Sequence, residues 1–363
     1  MNRFNVQDSA TMTHFKHFTL SSTPAGDGVT WYTLHNAHGM RVVVSDRGAT
    51  LVSWWAPDRY GRSDDILLGY ADDYGYATNG PYFGGLIGRW GNRIDGGRFA
   101  LDGVAYQVDC NDGNNHLHGG SGGFHLKHWQ VQPDPEGLRM TLRSAAGEAG
   151  FPGNLLVSVL YSLDDQGCLS IRYSATADAA TPVNLTSHGY FNLNGGSNDI
   201  GDHMLMIDAD QYLQVAPGLI PVRPAEVAGS AFDFRQPAPI GARLTWPDEQ
   251  LKIAGGFDHC YCLRHDEAAP AALRQVATVY DPGSGRQLTM ATTEPGLQFY
   301  SGNFLAGVQG RGSRPYRIHD GFCLEAQAYP NQVNGADSEA VILRPGYLYR
   351  QTTTYQLSVP GSA

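Results

Sequence analysis

Charge is scarce in this sequence, and what there is leans acidic. Only 17% of the 363 residues are charged, with 35 acidic against 25 basic side chains and a formal net charge of −10. No run of basic residues offsets that balance locally, which argues against nucleic acid as a partner, because a phosphate backbone needs a concentrated cationic surface. Cysteine is also sparse. The five (Cys110, Cys168, Cys260, Cys262 and Cys323) are an odd number with no CxxC spacing, so neither a zinc ribbon nor a thioredoxin motif is encoded. A reduced, cytoplasmic setting is expected. No stretch of about 18 apolar residues exists to form a membrane-spanning helix. The opening MNRFNVQDSATMTHFKHFTL lacks the continuous apolar core of a secretory signal. Long amphipathic helices, a Ser/Gly/Pro-rich linker and a fixed-period repeat are missing as well.

What the sequence does have in quantity is Gly (45), Pro (20), Tyr (19) and Trp (6). Gly and Pro make turns, while the aromatic residues favour pleated, half-buried surfaces and offer flat faces to sugar C–H groups. Alternating strand patterns recur throughout. Residues 40–58 predict two strands around Asp46-Arg47-Gly48, and residues 154–177 predict a hairpin turning at DDQG. Residues 274–302 repeat the scheme around DPGSG, and the tail from 340 to 360 predicts another pair around Pro345 and Gly346. A short helix is expected near Asp72 to Thr78. Many short strands at close spacing indicate a single all-β domain, a sandwich or barrel of antiparallel strands, with residues 1 to 15 as a loose or edge-pairing N-terminal arm.

Five segments carry more polar and Gly residues than strands usually do. In GGLIGRWGNRIDGGRFALDG, glycines bracket Asn92 and Arg93, and a guanidinium can donate to two oxygens at once. In NDGNNHLHGG, His116 and His118 lie two apart, a spacing that in a strand puts both rings on one face. Metal binding, hydrogen bonding and a structural role are all open for this pair, with His125 and His128 nearby. In NLTSHGYFNLNG, His188 has the polar and aromatic surroundings in which an imidazole can titrate near neutrality. Asp258 opens the β-rich run DHCYCL, where acids are disfavoured; it either caps a turn or accepts hydroxyl protons. Gln298 lies in TTEPGLQFYSGNFL. Glu325 sits in the apolar strand FCLEAQAY, where an unpaired carboxylate is costly and its pKa drifts upward, as suits a general base.

Taken together, GRWGNRIDGGRF, NHLHGG, TSHGYFNL, FDHCY, TEPGLQFYSGN and LEAQAYPNQVN resemble the motifs of the aldose 1-epimerase (galactose mutarotase) family, in that family's order, from about residue 30 to residue 358. The resemblance implies a large antiparallel β-sandwich, the galactose mutarotase-like supersandwich, with a cleft for one monosaccharide. It implies that His188 is the general acid, that Glu325 is the general base, and that Asn92, Arg93, His118, Asp258 and Gln298 bind the sugar. The expected reaction interconverts the α and β anomers of a free aldose such as galactose or glucose, with no cofactor and no metal. Expected partners are a small-molecule monosaccharide and at most a second copy of the chain, as a monomer or weak homodimer, with no nucleic acid and no membrane. Three other readings compete: a cupin-type metal enzyme using His116, His118 and Glu325, a non-catalytic carbohydrate-binding protein, and a hexose-6-phosphate mutarotase needing an added basic cluster.

Overall fold

The computed structural model describes residues 12–15, 17–312 and 314–361. Most of the expected N-terminal arm, residues 1–11, lies outside them. Its described end, Met12–His14, pairs antiparallel with residues 19–21.

Three large sheets dominate the described residues, with four two-stranded ladders beside them. A six-stranded meander runs in chain order from Met12–His14 to Ser63–Asp65. A nine-stranded sheet has Cys168–Ala177, Tyr349–Ser358 and Gln287–Thr292 side by side at its middle. A second six-stranded sheet contains Tyr190–Phe191, Phe322–Gln327, Gly296–Tyr300 and Asp258–Leu263, in that order. The predicted hairpins form. Leu155–Leu163 pairs with Cys168–Ala177, and Arg274–Tyr280 with Gln287–Thr292.

The tail departs from expectation. Ile342–Leu343 pairs with Thr181–Pro182, and Tyr349–Ser358 lies between two strands of the nine-stranded sheet. The alternation identified a strand correctly but not its partner. Tyr349–Ser358 buries every second residue, Tyr355 and Leu357 among them, which a central position does better than an edge hairpin. A large apolar side chain buried this way contributes roughly 1.5–3 kcal/mol.

Within the second six-stranded sheet, Gly296–Tyr300 and Phe322–Gln327 are buried on both faces, and their period-2 alternation sorts the two. Leu297, Phe299, Phe322, Leu324 and Ala326 pack into the main apolar core. Cys323, Glu325 and Gln327 point the other way, and the antiparallel register sets Glu325 opposite Gln298, and Asp258 opposite Tyr300. The polar face therefore floors a cavity. The helix Asp73–Thr78, capped by the Asp72 side chain, ends at left-handed Asn79. The buried Asn79 amide then accepts from the Phe83 N–H (2.8 Å) and donates to the Phe83 carbonyl (3.1 Å). That clamp fixes the intervening loop and delivers Tyr82 to the cavity.

Candidate active site

A cavity of about 240 Å3 opens over the polar face. Its walls include Asn92, Arg93, His118, His188, Asp258 and Glu325, with Tyr82, Tyr190, Tyr300 and Phe304. The volume lies below that usual for a drug-sized ligand and suits a small polar molecule. Residues from seven separate stretches of the sequence meet here.

His188 is held by its backbone and by both faces of its ring. Its N–H donates to the Gly85 carbonyl (3.0 Å), and its own carbonyl accepts from Gly84 N–H (2.9 Å). The ring lies between Tyr190 (centroids 5.1 Å apart, 19° between planes) and Tyr82 (5.7 Å, 22°). Its Nε2 faces Glu325 Oε2 across 3.7 Å, too long for a hydrogen bond. At its other edge, Nδ1 meets Cys323 Sγ at 3.5 Å. Burial lowers the His188 pKa to about 3. Glu325 is 2% exposed, and its Oε2 has no partner. Burial, and next the nearby Asp258 carboxylate, push its pKa well above 4.5, against a smaller pull from Arg93. Both shifts favour the uncharged forms, a neutral ring beside a protonated carboxyl. Moving that one proton from Glu325 to His188 gives the charged alternative, so the pair can exchange a proton with two oxygens of a ligand.

The remaining predicted residues surround this pair. Arg93 donates from Nε to Asp112 Oδ2 at 2.7 Å, and its side chain lines the cavity. The Asn92 side chain folds back to accept from the Arg93 N–H at 2.8 Å. Gln298 stands behind Asp258, donating to its Oδ1 at 2.7 Å, and does not itself line the cavity. Its Oε1 has no partner. Burial raises the Asp258 pKa.

His118 and His116 do not share a face, contrary to their spacing. The strand there is only His116–Leu117, and His118 turns into the left-handed region at φ +53°. Gly119 follows at φ +89°, where a Cβ would lie 2.0 Å from the Gly88 carbonyl oxygen, so the turn requires glycine. His116 points away, its Nδ1 on the Asp109 carbonyl (2.8 Å) and its Nε2 accepting from Gly119 N–H (3.1 Å). The His116–His118–Glu325 metal set therefore does not assemble. A different trio does: ligand atoms of His118, His188 and Glu325 lie within 4.8 Å of one another. Its chemistry fits a metal poorly. The Asn92 N–H donates to His118 Nδ1 (3.1 Å), which leaves the proton of the neutral ring on Nε2. Burial keeps that ring neutral, its pKa well below 6.5. Its free nitrogen is thus a hydrogen-bond donor, whereas a metal would need a lone pair there.

Several residues of the site escaped the sequence reading. Tyr190 was within reach, two positions after His188, and Cys323 lies two positions before Glu325, hence on the same face. Asp112 and Tyr82 gave no periodic signal; Tyr82 stands in a loop at φ +63°.

The family profile described as aldose 1-epimerase matches residues 30–356. The chain is 42% identical to galactose mutarotase of Bos taurus over 339 residues, covering 93% of this chain and 96% of the relative. It is 40% identical to aldose 1-epimerase of Escherichia coli K12 over 346 residues, covering 93% and 99%. The crystal structure of galactose 1-epimerase from Lactobacillus acidophilus superposes with a TM-score of 0.81 at 30% identity, over 96% of this chain and 99% of that one.

Proposed function

The chain belongs to the aldose 1-epimerase family, and from that premise we propose that His188 and Glu325 are the acid and base with which it interconverts the anomers of a free aldose. The enzyme is an isomerase, a mutarotase. The observation that carries the residue assignment is the buried imidazole and carboxyl group facing each other across 3.7 Å, with that Glu325 oxygen making no hydrogen bond to the protein.

The chemistry follows from that pair. Glu325, as carboxylate, takes the proton of the C1 hydroxyl while His188, protonated at Nε2, gives its proton to the ring oxygen. The C1–O5 bond breaks and C1 becomes an aldehyde carbon. The site now holds a protonated carboxyl and a neutral ring, the state that burial of both groups favours. The protein field thus stabilises the open-chain intermediate by keeping the proton count constant and removing charge from a dry cavity. Rotation about C1–C2 presents the other carbonyl face. Reclosure returns one proton to O1 and the other to His188, and the opposite anomer leaves. His118 donates from Nε2, while Arg93 and Asp258, the latter held by Gln298, take further hydroxyls.

The substrate we propose is an uncharged aldose such as galactose or glucose. Arg93 is the one cation among the described cavity-lining residues, beside two carboxylates, and it is already engaged by Asp112. That charge set gives a 6-phosphate no basic cluster. Polarimetry on freshly dissolved α-galactose and α-glucose, with buffer catalysis subtracted, tests the reading. The enzyme should speed the approach to anomeric equilibrium with and without a chelator. A rate equal to buffer with saturable sugar binding would make the chain a lectin. Activity lost to a chelator and restored by a divalent ion would overturn the metal-free mechanism.

A further inference from the structure

The proton transfers above use Nε2 of His188 and leave Nδ1 without a task. The structure gives Nδ1 one side-chain partner, the buried Cys323 thiol, with Sγ at 3.5 Å. We propose that Cys323 is a positioning residue for His188: its sulfur accepts a hydrogen bond from Nδ1–H and thereby fixes the tautomer and aim of the ring, so that Nε2 alone gives up and recovers the proton. This rests on the acid–base reading of His188.

Three features of the site support it. First, stacking between Tyr82 and Tyr190 fixes the plane of the ring but resists rotation within that plane only weakly, because the π-faces are broad. Contacts at the ring edges must set the in-plane angle. Cys323 and Glu325 stand two residues apart in the strand Phe322–Gln327, so a single rigid strand faces both nitrogens of the imidazole.

Second, the chemistry asks for a particular tautomer. When His188 gives its Nε2 proton to the sugar, the proton that stays behind is on Nδ1. Nε2 must then keep a bare lone pair until reclosure. An acceptor at Nδ1 stabilises that tautomer in both halves of the cycle and needs no rearrangement between them.

Third, the acceptor is of the right strength. A carboxylate at Nδ1 would favour the imidazolium and make His188 a weaker acid. A thiol is a weak, uncharged acceptor. Cys323 stays protonated, since burial, then Glu325 and Asp258, push its pKa well above 9.0. Besides Glu325 on the Nε2 side, the titratable groups around the ring are His118, with centroids 5.2 Å apart, His125 and the two tyrosines, and none of them makes a hydrogen bond to Nδ1.

The test pairs polarimetry with 15N NMR of histidine-labelled enzyme, using Cys323→Ala and Cys323→Ser. In the unsubstituted enzyme, long-range proton–nitrogen couplings should place the His188 proton on Nδ1. Cys323→Ala should move population to the Nε2–H tautomer and lower kcat about tenfold, the upper range for one neutral hydrogen bond, with KM within about twofold. Cys323→Ser, whose hydroxyl oxygen also accepts, should restore the tautomer and most of kcat. The proposal is overturned if Cys323→Ala keeps both, or if kcat falls in both variants with the tautomer unchanged, which is a packing effect. If the alanine protein does not fold, the serine protein decides alone: a retained Nδ1–H tautomer supports the proposal, and an Nε2–H tautomer overturns it. Full activity in His188→Asn would instead remove the acid–base reading itself, independently of either cysteine variant.

Discussion

Two buried polar clusters in this molecule have similar burial and opposite bonding. Arg286 is 0% exposed, and its guanidinium is fully engaged: Nε on the Pro57 carbonyl (3.2 Å), Nη1 on Leu193 (2.8 Å), and Nη2 on Ala56 (3.0 Å), Arg62 (3.1 Å) and Asp64 Oδ2 (2.8 Å). Glu325, on the cavity wall, is 2% exposed, and its Oε2 makes no hydrogen bond to the protein. A buried polar group that finishes its hydrogen bonds inside the protein holds the fold together. One that leaves a lone pair open toward a cavity weakens the fold and reserves the missing bond for a substrate.

The sharpest way to break this contrast is Glu325→Gln. It should lower kcat at least about a hundredfold, the low end for a lost general base, while saturable sugar binding survives because the amide keeps the shape. Stability should move the other way. The folded pKa of Glu325 lies above 4.5, so between the unfolded and folded values the native state binds more protons. Its contribution is therefore complete at low pH and is lost as pH rises through the folded pKa. Glu325→Gln should melt higher than the parent near neutral pH, and the gap should close toward pH 4. A variant that is less stable and still active would place Glu325 with Arg286, among the structural groups.

Arg286→Met is the mirror experiment. It removes the donors from several buried acceptors at once and should destabilise by about 3 kcal/mol or more, read as a fall in the denaturant midpoint. The kcat of the molecules that remain folded should hold within about twofold, because no atom of this cluster lines the cavity. A kcat loss matching that of Glu325→Gln would dissolve the distinction.

Parts of the fold and part of the site are legible in the sequence, for different reasons, whereas the partners of Arg286 are not. Alternation along 154–177 and 274–292 gave the hairpins, since period 2 and a local turn are both sequence properties. The tail strand was visible but its neighbours were not, because Tyr349–Ser358 pairs with strands more than a hundred and about sixty residues away. Glu325 stood out as a carboxylate in an apolar strand. The face expected to be shared by His116 and His118 does not form, because His118 rotates to φ +53°; the family resemblance, not the spacing, is what assigns His118 to the sugar. Tyr82 was missed because the Asn79–Phe83 clamp that aims it follows no hydrophobic period.

The pH profile sharpens the contrast more gently, by about tenfold per unit outside its limits. The productive pair carries one proton, so kcat/KM should be bell-shaped, and both limbs belong to the coupled pair. Burial sets their character. The imidazole is pushed down to about 3 and the carboxyl up, so the acid limb reports protonation of His188, and the alkaline limb loss of the last proton from Glu325. This reverses the order that ordinary carboxyl and imidazole values give. The residual activity of His188→Asn should lose its acid limb, and that of Glu325→Gln its alkaline limb, in initial-rate polarimetry from either anomer. The opposite pairing would mean that the cavity is wet enough to restore ordinary pKa values.

The smallest effect is expected where the site meets solvent. Arg93 is buried, but the Asp112 carboxylate that accepts from its Nε has a side chain 38% exposed. Such a pair sits between the two clusters: bonded like Arg286, yet on the wall of the working cavity. Its charge interaction is screened by water, and exposed pairs contribute roughly 0.2–1 kcal/mol. Asp112→Asn keeps an oxygen acceptor at Nε and removes the charge, so the guanidinium should stay near its place with looser aim. If Arg93 holds a sugar hydroxyl equally in the ground and transition states, KM should rise by about twofold to fivefold and kcat should hardly change. Salt should blunt the difference, because added ions already weaken the parent pair. Initial rates over a range of sugar concentrations, at low and high ionic strength, separate the two parameters. A tenfold fall in kcat at constant KM would show that Arg93 acts on the charge developing at the ring oxygen, and would move it from the binding residues to those that stabilise the transition state.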